Sequence, residues 1–200
     1  MFIFKLLLLL IILSLEHVGY ALILHDPNLI LTHVNNPNEA IDLIEQFSIS
    51  QKIIQLTAIV LFMYNFYRLN QLQFSDQIKY SLLISGVILC VLGRFLDISV
   101  FKTIGRNGVY YGKRFGLAIP WVNTFPYGNK HIKHPQYIGA TSIWIGACLI
   151  VYAFISDTSI LVQNSIISIA IFQIMNYYIM AKIEEEDERL RPQRSLAGRA

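Results

Sequence analysis

The residues best suited to chemistry in this 200-residue chain lie in two short stretches. The first reads His131, Ile132, Lys133, His134, Pro135, Gln136, Tyr137, Ile138, Gly139. Pro135 suits the first turn of a helix, where its missing N–H costs nothing, and that places His134 near the N-cap. A histidine there is suited to binding an anion or a polar ligand group. The i, i+3 spacing of His131 and His134 would also suit a metal, but no cysteine or nearby carboxylate completes a site, so none is expected. The second stretch starts at Lys182 and Ile183 and runs through five consecutive acids, Glu184, Glu185, Glu186, Asp187 and Glu188, to Arg189, Leu190 and Arg191. The ordinary use of such a run is a solvated helix face, with Glu185 and Glu188 pairing with Arg189 and Arg191. The alternative is that the first acids hold a cation at the edge of a membrane.

Upstream of these lie four glycines, Gly105, Gly108, Gly112 and Gly116, spaced 3, 4 and 4 apart. On a continuous helix they fall within about 80° of one face. Such a smooth stripe admits a neighbouring backbone or a flat ligand, and helix packing is the more frequent use. Beside them stand Tyr110, Tyr111, Trp121, Phe125 and Tyr127, with Pro120 and Pro126 fixing the backbone. Aromatic residues at this position either anchor the chain at an interface or hold a methylated ammonium group by cation–π attraction.

The elements that position these residues are membrane spans. Hydrophobic residues make up 54% of the chain and charged residues only 14%, against roughly 25% charged in a soluble domain. Mean hydropathy is +0.50. The apolar residues are gathered in blocks near the ~20 residues that cross a bilayer as a helix, so the expected fold is all-α, a polytopic helical membrane protein of four to five spans. The alternating ten-residue strands of a β-barrel are absent. With about half the chain in the bilayer, no soluble catalytic domain of about 100 residues can fit. Chemistry must therefore be done by helix ends and loops.

The first block, residues 2–15, reads as a signal peptide with Gly19, Tyr20 and Ala21 after it, or as a retained first span extended past Glu16 and His17, with a slight preference for the span. Residues 24–45 read as a polar loop with a short helix from Asn38. The second block covers residues 47–67 and the third residues 80–101, whose Arg94 and Asp97 lie on one face and can pair. The fourth and fifth, residues 138–155 and 160–181, are separated only by residues 156–159, so the last two spans form an antiparallel hairpin. The loop before Ile138 and the tail after Ala181 then lie on the same side of the membrane. The chain divides into an N-terminal segment and polar loop, residues 1–46, and a membrane-embedded core, residues 47–200. That core carries a loop at residues 102–137 and an acidic tail at residues 182–200. From Ile98 to Ser156 there is no acid, while Lys102, Arg106, Lys113, Arg114, Lys130 and Lys133 are basic. Six cations in one loop favour the cytoplasmic side and anionic lipid. Cys90 and Cys148 fall inside apolar blocks, so a structural disulfide is not expected.

The run from Gly108 through Tyr110, Tyr111, Gly112, Lys113 and Arg114 to Gly116 carries a resemblance to a known family. So do Pro120, Trp121 and Val122, then Phe125, Pro126 and Tyr127, then His134 to Gly139. Together they resemble the membrane phospholipid methyltransferases, most nearly the phosphatidyl-N-methylethanolamine N-methyltransferases. The segment Lys133, His134, Pro135, Tyr137, Gly139 with its downstream acids is more distantly similar to isoprenylcysteine carboxyl methyltransferases, whose motif usually begins with Arg. The likeness covers about residues 80–191. It departs in two places. Val91, Leu92, Gly93 stand where the family's cofactor signature often reads Gly-x-Gly, and the acidic pair has three registers, Glu184 with Glu185, Glu185 with Glu186, or Glu186 with Asp187.

The resemblance implies S-adenosylmethionine as methyl donor, a membrane phospholipid amine as acceptor, phosphatidylcholine as product, and an endoplasmic reticulum membrane with the site facing the cytoplasm. No metal and no nucleic acid are called for. The donor's amino and sulfonium groups want carboxylates, and its carboxylate wants cations or helix N–H groups. The residues expected to bind it are Gly93, Lys133, His134, Tyr137, Gly139, Glu184, Glu185 and Glu186. Gly108, Tyr111, Gly112, Trp121 and Tyr127 are expected around the lipid headgroup, and His134 and Glu185 are the candidates for catalysis. The competing readings keep the fold with another acceptor, such as a prenylcysteine carboxylate, or make the chain a non-catalytic membrane protein. A sterol-reductase-like activity is disfavoured by the short chain.

Overall fold

A computed structural model describes residues 2–66, 75–119, 122–128, 132–155 and 160–197, with side chains up to Tyr64 in the first of these segments and up to Arg189 in the last. The described residues are helical apart from short connections: α1 Phe2–His25, the single turn α2 Asn28–Leu31, α3 Pro37–Phe66, α4 Asp76–Val109, a 3-10 turn Gly112–Phe115, α5 Pro135–Phe154 and α6 Ile160–Ala197. Five of these, α1, α3, α4, α5 and α6, are long and apolar enough to cross a membrane. The all-α, membrane-spanning architecture is therefore as the hydropathy predicts, with five spans where four to five were expected. Consecutive spans alternate in direction. The C-termini of α1, α4 and α6 and the N-termini of α3 and α5 gather at one end, where the chemistry-bearing stretches lie.

The helix bounds differ from the expected ones for local reasons. The short helix expected at Asn38 and the span expected at residue 47 are one helix, because no glycine or proline interrupts residues 38–66. It opens on Asn36, whose side-chain oxygen accepts from the Glu39 N–H at 3.0 Å, while Glu39 accepts from the Asn35 N–H at 2.8 Å, a close relative of the capping box. In α4 the helix runs past residue 101 until Gly105, whose φ of 66° breaks the regular geometry. Only glycine takes that conformation at little cost. The four-glycine stripe is thereby corrected: Gly105 sits at the break and Gly112 in the 3-10 turn, so these glycines never share one helix face.

The close approach that the stripe was expected to provide is made by other glycines. Gly86 and Gly93 on α4 lie two turns apart, as do Gly139 and Gly146 on α5, and the two pairs meet backbone to backbone. A Cβ on Gly93 would stand 2.6 Å from the Gly139 carbonyl, and one on Gly146 would stand 2.6 Å from that of Gly86. Small residues let membrane helices approach this closely and gain dispersion along their length. The bundle turns apolar side chains outward and encloses several polar ones among its buried apolar clusters. Glu16, His17, Ser48, Gln55 and Gln173 are buried, while Leu56, Val91, Ile84 and Leu61 are more than half exposed. An apolar exterior of this kind is what a hydrocarbon solvent requires.

The charge asymmetry of the sequence closes on itself at the site end. Arg106 bridges Asp42, and its Nε lies 2.5 Å from Glu45, tying the α4 terminus to the start of α3. Arg114 pairs with Asp187 in a largely buried contact, and Arg94 pairs with Asp97 as its spacing predicts. Because Arg106 remains substantially exposed, Arg106→Ala is expected to cost about 1 kcal/mol or less, read as a small shift of the melting temperature in detergent.

Candidate active site

The hairpin of α5 and α6 brings the two chemistry-bearing stretches together. Helix α5 starts at Pro135 with His134 at its N-cap, as the missing N–H of proline dictates. Helix α6 continues unbroken from the bilayer through the acidic run, so two adjacent acids project towards the α5 start. His134 Nε2 lies 3.1 Å from Glu185 Oε1, and His134 Nδ1 lies 4.0 Å from Glu184. One turn further into α5, the Tyr137 hydroxyl donates to Glu184 and stands 3.1 Å from the Tyr111 hydroxyl. The result is a connected set, Tyr111, Tyr137, Glu184, His134 and Glu185, drawn from three parts of the chain.

The acid run divides by direction on the helix. Glu184 and Glu185 face α5, whereas Glu186 turns outward to Arg189 at 2.7 Å. Lys182 bonds Glu185 at 2.6 Å. The expected partner of Arg189 is thus corrected from Glu185 to Glu186, because i, i+3 on this helix joins residues 186 and 189 on one outer face while Glu185 looks inward.

Tyr111 is held in the left-handed region at φ 59°, a conformation that costs an L-residue about 1–2 kcal/mol. The connection after α4 imposes it, and the Tyr111 ring packs edge-on against Tyr20 of α1 at 5.6 Å. Tyr127 leans on the same region: burial, and then the nearby Glu184 charge, push its hydroxyl up to about 12. It stays a neutral hydrogen-bonding phenol at physiological pH.

Beneath this set is a cavity of about 510 Å³. Tyr111 and Tyr137 line it, along with Tyr177, Gln136 and a wall from α1 and α3 that includes Glu16, Tyr20 and Ser48. Of the residues expected in the site, Tyr137, Tyr111, His134, Glu184 and Glu185 are brought together and Tyr127 lies near. Lys133 is exposed beside them. Gly93 and Gly139 face each other across the α4–α5 crossing. Gly108 is covered by Ile104, and Gly112 by the Asn107 carbonyl. None of these four glycines lines the cavity. Trp121 lies outside the described residues.

The α1 and α3 wall was not among the expected site residues. The signal for it was Glu16, an ionisable residue inside an apolar block, since such residues inside a membrane are rare and turn inward. Among the described residues no group of three metal-ligating side chains occurs.

Comparison with known proteins bears on this geometry. The phospholipid methyltransferase family model matches residues 81–187, just over half of the chain. A phosphatidyl-N-methylethanolamine N-methyltransferase of Arabidopsis thaliana is 46% identical over 61 residues, which cover 30% of this chain and 35% of that protein. The match therefore spans about a third of that relative's length. No solved structure matches.

Proposed function

The chain belongs to the phospholipid methyltransferase family, and we propose that it methylates phosphatidyl-N-methylethanolamine and its dimethyl product to phosphatidylcholine, with S-adenosylmethionine as donor. The observation that carries this reading is the meeting of His134 and Tyr137 at the start of α5 with Glu184 and Glu185 on α6. We place the reaction at an endoplasmic reticulum membrane, with the site end facing the cytoplasm. The basic loop supports that orientation, and similarity to the plant phosphatidyl-N-methylethanolamine N-methyltransferase supports the acceptor.

The residues present fit the donor. When bound, S-adenosylmethionine supplies an electrophilic methyl group beside a positive sulfonium, with an amino group and a carboxylate at its far end. Glu184 and Glu185 offer two negative charges to the positive groups. The free N–H groups of the first α5 turn, with Lys133 near them, offer the opposite polarity to the carboxylate. The Tyr137 hydroxyl fixes the Glu184 carboxylate, so one acceptor oxygen is oriented before any ligand arrives. His134, bonded to Glu185, is the side chain best able to take a proton from the acceptor amine, which must lose one before its lone pair is free. Most of the rate gain from such a site comes from holding two reactants in line and excluding water.

The direct test is lipid mass spectrometry after expression in a host that lacks phosphatidylcholine, with the monomethyl lipid supplied. Accumulation of phosphatidylcholine is the expected outcome, and its absence, with the protein present in the membrane, overturns the reading. Among variants, His134→Ala and Glu185→Ala are expected to lower the turnover by at least about 100-fold. Full activity in both would remove these residues from the site.

A further inference from the structure

The inference concerns the acceptor, rests on the reading just given, and starts from Glu16. This carboxylate sits in an apolar helix, nine residues before the α1 terminus, which is about 14 Å along the axis. It is 4% exposed. Its hydrogen-bond partners are all neutral: the Ser48 hydroxyl donates at 3.0 Å, Gln55 Nε2 at 3.4 Å and the Tyr20 hydroxyl at 3.4 Å. Among the described residues no basic side chain lies within ion-pair distance of it. A carboxylate withdrawn from water is costly without a cation, and an ionisable group inside a membrane points to a functional partner.

The surroundings state the partner's chemistry. Glu16 borders the 510 Å³ cavity together with the rings of Tyr20, Tyr111, Tyr137 and Tyr177. A carboxylate ringed by aromatic faces is the environment that holds an organic ammonium, including one that gains methyl groups. The same cavity reaches the exposed cations Lys52 on α3 and Lys102 on α4, along with the Arg94–Asp97 pair. Further from the site end the bundle is open between those two helices, since α3 and α4 scarcely touch beyond the Arg106 bridges and the apolar cluster that holds Ile41, Ile44 and Val100. The polarity thus runs from a buried anion to cations beside a gap that faces lipid.

We propose that Glu16 and the tyrosines around it form the ammonium subsite for the phospholipid headgroup, which enters sideways between α3 and α4 with its phosphate resting near Lys52 and Lys102. The carboxylate and the cations are separated in the order in which a zwitterionic ethanolamine phosphate presents its own charges, positive end inward. The Tyr111 and Tyr137 hydroxyls that border this subsite are the ones bonded on towards Glu184. Those hydroxyls thereby connect the amine subsite to the carboxylate assigned to the donor. Two of the chain segments that build the subsite, α1 and α3, precede the family-matched residues.

The test uses the full-length protein in detergent and in vesicles containing phosphatidyl-N-methylethanolamine. Glu16→Gln preserves size, keeps one acceptor oxygen for the Ser48 and Tyr20 hydroxyls, and removes the charge. The expected result is a rise of about tenfold in acceptor KM, with donor affinity unchanged. Native mass spectrometry should show a matching loss of bound monomethyl lipid. Glu16→Asp, which keeps the charge, should recover much of the acceptor affinity, a rescue that a purely structural role would not produce. An active wild type whose acceptor KM and lipid retention are unchanged by Glu16→Gln overturns the subsite and leaves the methyltransferase reading intact. A wild type that methylates no phospholipid overturns that reading itself. Lipid retention lost in Glu16→Gln but not restored in Glu16→Asp overturns the charge assignment.

Discussion

Replacing Glu184 with glutamine is expected to weaken binding of S-adenosylmethionine by about 100-fold while leaving the fold in place. The substitution conserves shape, and the amide oxygen can still accept from the Tyr137 hydroxyl, so the loss isolates the charge. Removing one partner of a desolvated charge pair costs about 2–5 kcal/mol, and the lower part of that range applies to a carboxylate that is still a quarter exposed. Titration calorimetry of the purified protein with the donor measures this directly. Glu188, exposed one turn further along the same helix, provides the contrast, and Glu188→Gln is expected to change donor affinity by less than about twofold. Tyr137→Phe should fall between the two, since it removes one charge-assisted hydrogen bond worth about 1.5–3 kcal/mol at most. Equal affinity in wild type and Glu184→Gln would falsify the placement of the donor at this helix pair.

The second large effect is on the scaffold. Gly139→Leu is expected to destabilise the protein by about 3 kcal/mol or more and to abolish activity. A Cβ there already stands 3.0 Å from the Gly93 carbonyl and 3.3 Å from the Asp97 backbone nitrogen. Both contacts are backbone, which cannot rotate aside as a side chain can. The helices must separate, and separation moves His134 and Tyr137 on α5 away from Tyr111 beyond the end of α4. Thermal unfolding in detergent and the methylation assay should therefore fail together. Gly116→Ala makes a useful comparison. Nothing lies within 4 Å of its Cβ, but φ is 81°, so the cost there is backbone strain of about 1–2 kcal/mol without any helix displacement. A Gly139→Leu protein as stable as wild type would show that the α4–α5 crossing is looser than its glycine pairs indicate.

Much of this was legible in the residues. Runs of apolar side chains report their solvent directly, because a helix in hydrocarbon must satisfy its backbone internally and turn apolar atoms outward. Pro135 marks a helix start by its chemistry alone, and a four-residue connection leaves α5 and α6 no arrangement but antiparallel. From those local facts the meeting of His134 with the acidic run follows before any coordinate is seen. The glycines show where such reasoning stops. Gly105, Gly108, Gly112 and Gly116 carry a helical spacing, but spacing says nothing about whether the helix continues, and a positive φ at Gly105 ends it. The glycines that do pack, at 86, 93, 139 and 146, come from two separate helices, so no single-helix periodicity displays the match.

The sequence by itself determined the solvent, the antiparallel direction of the last two spans, and the end of the bundle at which the scarce charges assemble, because each depends on residues near one another in the chain. Only the tertiary structure decided that Glu184 and Glu185 are the acids turned inward, and that Glu16 of the first helix shares a cavity with Tyr111 and Tyr137. The reason is physical. The direction of a side chain on a long helix, and the neighbour it meets across more than a hundred residues of chain, are set by how the helices rotate and cross. For α4 and α5 that rotation shows in the backbone contact at the Gly86–Gly146 and Gly93–Gly139 pairs, a property of two helices together that neither sequence segment contains alone.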